Sequence, residues 1–261
     1  IIKLEHSTIN GNYGDGIYST SATSSVTSTV QVRFSTISGN TGSGVYANTI
    51  LESIVYLTNS RVSENNRNGV YSLSSTSRII INNSMAIGNK QYGAFSYSYV
   101  SSPSTSSGRS GIKLINSTIS GNTEAGIYSF SSSLFGSSVE VIRSTISGNK
   151  KQGINCSSST SRSNVQIIYS TISGNEREGI TSSAPFSKVS SIFLRSSIIA
   201  NNGNINIRNN QTPTIGSLGY NILSESTISG SLLLDQLGVT PSQLNLGILR
   251  NNGGNTIQYK T

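Results

Sequence analysis

The sequence predicts an all-β chain wound as a right-handed single-stranded parallel β-helix, a solenoid of about eight or nine coils with three short strands in each. Three observations predict it. A motif close to STISGN, followed after three residues by Gly and usually a branched apolar residue, returns along most of the 261 residues. Apolar residues upstream of each motif alternate with polar ones, the period of a strand with one buried face. Ser, Gly and Asn supply 55, 26 and 28 residues, a stock of small and turn-forming side chains.

The repeat sets the elements in order. Copies begin at His6, Phe34, Asn59, Asn83, Asn116, Arg143 and Tyr169, and a degraded copy follows from Ser196. The central apolar residues are Ile9, Ile37, Val62, Ala86, Ile119, Ile146, Ile172 and Ile198, spaced 24 to 33 residues apart. Pairs such as Ile2/Leu4, Val30/Val32, Val55/Leu57 and Ile112/Leu114 stand upstream of these anchors and mark the first strand of a coil. The anchor centres the second strand. The third follows a Gly, at Gly16, Gly44, Gly69, Gly93, Gly126, Gly153 and Gly179. One coil cannot bury its own apolar face, so burial comes from stacking at about 4.8 Å per coil.

Three rows of equivalent residues are expected to line up along the axis. Asn12, Asn40, Asn65, Asn89, Asn122, Asn149, Asn175 and Asn201 stand three residues after the anchors. They are read as left-handed turn residues whose amides bond from coil to coil. The Gly four residues on is read as a second positive-φ corner. Ser7, Ser35, Ser60, Ser84, Ser117, Ser144, Ser170 and Ser196, two before the anchors, would stack inside a narrow core. Length varies between the third strand and the next first strand, in Ser-rich segments from Ser19, Tyr97, Ser129 and Ser157. These read as exposed loops at one corner, where solenoids place binding surface. Residues 1–210 form the repeat array, and 211–261 an irregular closing segment of the same β-helix. The chain opens in mid-pattern at Ile1, so the first coil reads as incomplete and the sequence as part of a longer protein.

Composition removes several classes. No apolar run approaches the length of a membrane-spanning helix, and no heptad pattern supports a coiled coil. One Cys, Cys156, excludes a disulfide framework and a Cys-based zinc cluster. One His, His6, argues against a His-rich metal site or a Ser–His triad. The net charge of +8 raises an anionic polymer as partner. The basic residues are scattered, with Lys150–Lys151 the one adjacent pair, so nucleic acid is not the expected partner.

The repeat resembles those of right-handed β-helices in large bacterial secreted and cell-surface proteins. The tail is similar too: TIGSLGYNILSE (Thr214–Glu225), then LDQLGVTPSQLNLGILRNNGGNT (Leu234–Thr256), resembles a GYN…LG.L.NNGG.T module that closes such arrays. The resemblance covers nearly the whole chain and implies an extracellular bacterial setting. It implies no particular chemistry.

Many β-helices cleave polysaccharides, which takes carboxylates. A glycosidase needs a pair about 5–10 Å apart, and a lyase needs acidic calcium ligands with a basic residue. The ten acidic residues are thinly spread. Glu124 and Glu176 lie two coils apart with Lys150 and Lys151 between them, which reads as a ladder of Glu124–Lys151 and Lys150–Glu176 ion pairs. Glu176 and Glu178 offer a thin calcium site. Without a base no Ser can be activated as a nucleophile. We therefore expect no enzyme, no catalytic residue, no metal and no cofactor.

Two outward rows remain. Tyr18, Tyr46, Tyr71, Phe95 and Tyr128 follow the post-Gly residue and form either a strip for sugar rings or a self-stabilising aromatic ladder. Thr8, Thr36, Arg61, Met85, Thr118, Thr145 and Thr171 flank the anchors, a Thr-x-Ser array that would suit ice were it not broken by Arg61 and Met85. The sequence thus reads as an adhesin-like stalk or passenger segment of a secreted or surface-attached protein, self-associating head to tail or as a homo-oligomer into a filament or layer. The alternative is a glycan-binding module that meets cell-surface partners through the aromatic strip or the Ser-rich corner. A polysaccharide lyase or hydrolase is the weaker third reading.

Overall fold

The computed structural model describes residues 1–23, 25–99, 108–185, 188–203, 205–210, 213–224, 234–246, 249–251 and 257–259. Three parallel sheets run along the molecule. The first has nine strands, from Ile2–Glu5 through Thr27–Arg33 and Glu52–Thr58 to Pro213–Ser217. The second also has nine, from Thr8–Asn10 to Ile222–Leu223, and the third has eight, from Ile17–Ser21 to Ile207–Asn210. Each strand pairs with its equivalent one coil away. Ile9 thus faces Ile37, Ile146 faces Ile172, and Tyr46 faces Tyr71. The regular stack therefore extends past residue 210 to Leu223. A four-residue helix, Pro241–Leu244, and an antiparallel pair, Leu249–Asn251 with Ile257–Tyr259, follow it in the chain.

The period-two pattern decides which side chains enter the core. In Glu52–Thr58 the burial alternates residue by residue, and Val55 and Leu57 are fully inside. Val30, Val32, Ile37, Ile79, Ile81, Leu114, Ile119, Ile146, Ile167 and Ile172 join one continuous apolar column. Branched side chains suit this column because each packs on its own kind above and below.

The corners differ in detail from the sequence reading. The residue before the Ser row is left-handed in every coil, at His6, Phe34, Asn59, Asn83, Asn116, Arg143, Tyr169 and Ser196, with φ between 46° and 51°. The second left-handed residue is the one before the ladder Asn: Gly11, Gly39, Glu64, Gly88, Gly121, Gly148 and Gly174. The ladder Asn itself is not left-handed. Nor is the Gly four residues later, whose glycine is a matter of space. A Cβ on Gly44 would lie 2.3 Å from Val62 Cγ1 and 2.8 Å from the Gly69 carbonyl oxygen, and on Gly93 2.5 Å from Ile119 Cγ2. Here the backbone of one coil rests directly on the next.

The last copy is shifted by one residue from its expected alignment. Ile172 pairs with Ile199, not Ile198. Leu194, paired with Ile167, sets this register, because five residues separate the two inward positions in every coil. The tandem Ser196–Ser197, Ile198–Ile199 and Asn201–Asn202 hide the shift. The ladder therefore passes to Asn202. Asn201 takes the left-handed position at φ 55°, and its buried Oδ1 has no hydrogen-bond partner among the described residues.

Candidate functional site

The Asn row is a continuous hydrogen-bonded ladder. The backbone N–H and the Nδ2 of Asn40 both donate to Asn65 Oδ1, at 3.1 and 2.9 Å. The same pair of bonds links Asn12 to Asn40, Asn65 to Asn89, Asn89 to Asn122, Asn122 to Asn149, Asn149 to Asn175 and Asn175 to Asn202. From Asn40 to Asn149 these side chains are wholly buried. Burial of an amide is tolerable because every polar atom finds a partner.

The Ser row forms a second ladder. Ser35 N–H donates to Ser60 Oγ at 3.1 Å, while Ser35 Oγ donates to the Arg33 carbonyl at 2.6 Å. The pattern runs to Ser197, whose N–H donates to Asn221 Oδ1 at 3.0 Å. Asn221 in turn gives its N–H and its Nδ2 to Asp235 Oδ1, each at 3.0 Å. A carboxylate, which only accepts, thus receives the end of the row.

A third polar column lies where the sequence reading placed exposed Ser-rich loops. Ser53, Ser72, Ser77, Ser96, Ser110, Ser129 and Ser137 zigzag between the first and third sheets, Oγ to Oγ, at 2.8 to 3.0 Å. Cys156 continues the line, its Sγ 3.3 Å from Ser137 Oγ; Ser163 Oγ donates to the Cys156 carbonyl at 2.8 Å, and Ser182 and Ser190 extend the line at 2.7 Å per step. Cys156 is fully buried, and burial pushes its thiol pKa up. The missed signal was period two. Ser72, Ser96 and Ser129 stand two residues after an inward Val70, Ala94 and Ile127, so they also point inward.

The five aromatic residues of the third sheet stack face to face. Ring centroids lie 5.2 Å apart for Tyr18–Tyr46, 4.9 Å for Tyr46–Tyr71, 5.0 Å for Tyr71–Phe95 and 5.1 Å for Phe95–Tyr128. Tyr92 leans against both Phe95 and Tyr128, at 5.1 and 5.2 Å. Tyr18 is 60% exposed, while the other four are half-buried. The ring faces between neighbours are therefore taken by the stack, and ring edges meet solvent. Burial raises the hydroxyl pKa of Tyr71 and of Tyr92 to about 12, helped by Tyr46 beside the first and Glu124 beside the second.

The Thr row is not the open face that alternation implies. Thr118 and Thr145 are 0% and 7% exposed, and Ser120, Ser147 and Ser173 beside them are buried, so the outer side of the second sheet is covered there.

Charges pair mainly between neighbouring coils. Lys151 meets Glu124 at 2.5 Å, as the sequence suggests, and Lys113 meets Glu140 at 2.7 Å. Glu178 pairs with Arg208, at 3.1 Å, and accepts from Gln152 Nε2 at 3.0 Å. Among the described residues no three His, Cys, Asp or Glu gather around one point, and no helix is long and apolar enough to cross a membrane.

With stacked parallel strands, three sheets and coil-to-coil ladders established, the class of protein follows: this is a β-solenoid. The chain belongs to the right-handed β-helix family, whose model, described as "Right handed beta helix region", matches residues 1–166. None of the curated proteins matches it. Among solved structures it is similar to the "Azotobacter vinelandii Mannuronan C-5 epimerase AlgE6 A-module", at 15% identity and a TM-score of 0.42, over 81% of this chain and 57% of that one. The chain thus spans little more than half of that module's length.

Proposed function

We propose that the chain is a stiff stalk or passenger segment, adhesin-like, of a secreted or surface-attached bacterial protein. One observation carries this reading: three polar columns run through successive coils, each hydrogen-bonded from one coil to the next. Such a column resists bending and shear because each displacement breaks buried hydrogen bonds along the whole array. Nine stacked strands make a rod about 40 Å long. The extracellular setting is supported by the likeness of the repeat and its closing module to those of bacterial surface proteins.

The test removes one whole coil from the natural full-length protein on its cells. Deleting residues 117–143 joins Asn116 to Ser144, which preserves the corner sequence because Asn116 and Arg143 hold the same left-handed position. A stalk keeps its fold and its surface display, read by protease release of its peptides from intact cells, and becomes shorter by about 4.8 Å. Absence of the chain from the surface, or breakdown of a polysaccharide by the unaltered chain, overturns the reading.

A further inference from the structure

We propose that the outer face of the first sheet carries a binding site for a sugar bearing one anionic group, centred on Gly111. The site is separate from the aromatic strip, though Leu51, Arg109 and Phe135 reach it from the Ser-rich corner, and it stands whether or not the rod serves as a stalk.

The starting point is a glycine that neither a left-handed backbone nor a clash with neighbouring backbone requires. Gly111 lies in the strand Ser110–Ile115, in an outward row that reads Ile54, Arg78, Gly111, Ser138 and Asn164 on successive coils. It is not left-handed, and a Cβ built there would meet Ser138 Oγ at 3.3 Å and the Ser138 carbonyl oxygen at 4.0 Å. This is unlike Gly44 or Gly93, where backbone contact forbids a side chain. Glycine in mid-strand weakens a sheet, and it recurs where a ligand or another backbone comes close. Its effect here is a gap in the row, and Gly111 lines a cleft of about 780 Å³. That volume is typical of small-molecule sites.

The walls define the ligand. Leu51 and Phe135, 38% and 53% exposed, give the cleft an apolar side on which the flat face of a sugar ring can lie. Arg78, Arg109 and Lys113 bring three positive charges, and Glu52 and Glu140 two negative ones. Glu52 engages Arg78 at 3.4 Å and Glu140 engages Lys113 at 2.7 Å. Arg109 has no ion pair with a described residue. The cleft therefore has an excess of one positive charge, on a guanidinium suited to grip a carboxylate or sulfate with two parallel bonds. The carboxylates of Glu52 and Glu140 accept from sugar hydroxyls. They also oppose a second anionic group, so a densely charged polymer fits worse than a ring with a single charge.

Three trisaccharides titrated into the whole chain by calorimetry test the site: one with a single hexuronate residue among neutral ones, its wholly neutral counterpart, and a densely sulfated one. A monosulfated sugar forms a fourth arm, and the tighter of the hexuronate and monosulfated ligands names the anion. The singly charged sugars are expected to bind at least tenfold more tightly than both the neutral and the densely sulfated compounds. Gly111→Val, which fills the gap with a good strand former, and Arg109→Ala should each weaken binding at least tenfold. Both variants should keep the wild-type thermal midpoint within a few degrees, and Tyr46→Ala, on the third sheet, should bind as before. Equal binding of the neutral sugar, tighter binding of the densely sulfated one, unchanged affinity in both cleft variants, or no binding of either singly charged sugar at millimolar concentration overturns the proposal.

Discussion

Removing one rung of the Asn ladder tests the energetics of the whole solenoid. Asn122 sits in mid-stack and is fully buried. Its Oδ1 accepts the Asn89 N–H and the Asn89 Nδ2, both at 3.0 Å. Its Nδ2 donates to Asn149 Oδ1 at 2.9 Å and to the Ala86 carbonyl at 3.2 Å. Asn122→Ala strands two donors of Asn89 and takes a partner from two acceptors. Asn149 Oδ1 still receives the backbone N–H of residue 122, and Asn89 Nδ2 keeps a long contact to the Val62 carbonyl at 3.4 Å. The uncompensated loss is therefore chiefly the Asn89 N–H and part of its amide. At about 1–3 kcal/mol for each buried unsatisfied group, the substitution should cost about 2–4 kcal/mol. Urea unfolding followed by circular dichroism measures the loss, and amide hydrogen exchange locates it. The Asn89 N–H should lose protection first. Asn122→Asp should be no better: its oxygens can still accept from Asn89, but they replace a donor facing Asn149 Oδ1 with a charged acceptor. A loss below about 1 kcal/mol, or unchanged protection at Asn89, would show that the ladder follows from the stacking and does not stabilise it.

The remaining predictions use other parts of the same architecture. Gly93→Ala should destabilise severely, by about 2 kcal/mol or more, because its Cβ meets Ile119 Cγ2, the Gly126 carbonyl and Asn122 Nδ2, whereas Gly111→Val should hold or raise the thermal midpoint. Paired melting curves of the two variants check this. Cys156→Ser should be nearly neutral, since a hydroxyl extends the line from Ser137, while Cys156→Ala leaves the Ser137 and Ser163 hydroxyls with one neighbour fewer. Native Cys156 should resist a thiol reagent at pH 8 until the chain is unfolded by denaturant, as its burial and raised pKa require. Alkali should weaken the fold. Tyr71 and Tyr92 titrate near 12 when folded against 10.0 for the free side chain, so the folded state holds their protons more tightly. Their contribution is complete below pH 10 and is lost as pH rises from 10 through 12. Melting temperatures across that interval should fall, and fall less in a Tyr71→Phe, Tyr92→Phe double variant.

The solenoid was legible in the sequence because its determinants are local and repeated. An inward apolar residue every second position, a Gly where coils touch, and an Asn three residues after each anchor recur often enough to reveal themselves within one chain. What the pattern did not distinguish was why a residue is small. Gly44 and Gly93 were read as conformational when the requirement is steric, and the left-handed burden falls instead on Phe34, Arg143 and Tyr169, types that reveal nothing about φ. The single-residue shift at Ile199 was hidden because adjacent residues are identical there. The hydroxyl column was missed because Ser carries no sign of which way it points, and only its parity with Val70, Ala94 and Ile127 does. The cleft at Gly111 was invisible for another reason. Its walls come from residues 51 to 140, four coils that only the three-dimensional stack brings together.

Asp235 gives the array a direction. Each interior member of the Ser row accepts on its side-chain oxygen from one side and gives its backbone N–H to the other, as Ser60 does between Ser35 and Ser84, so every such bond of the row points toward Asp235. A further winding inserted ahead of Asp235 would therefore need at the junction a side chain whose oxygen accepts that N–H, Ser as along the row or Asn as at position 221. Length in such a molecule changes by whole windings.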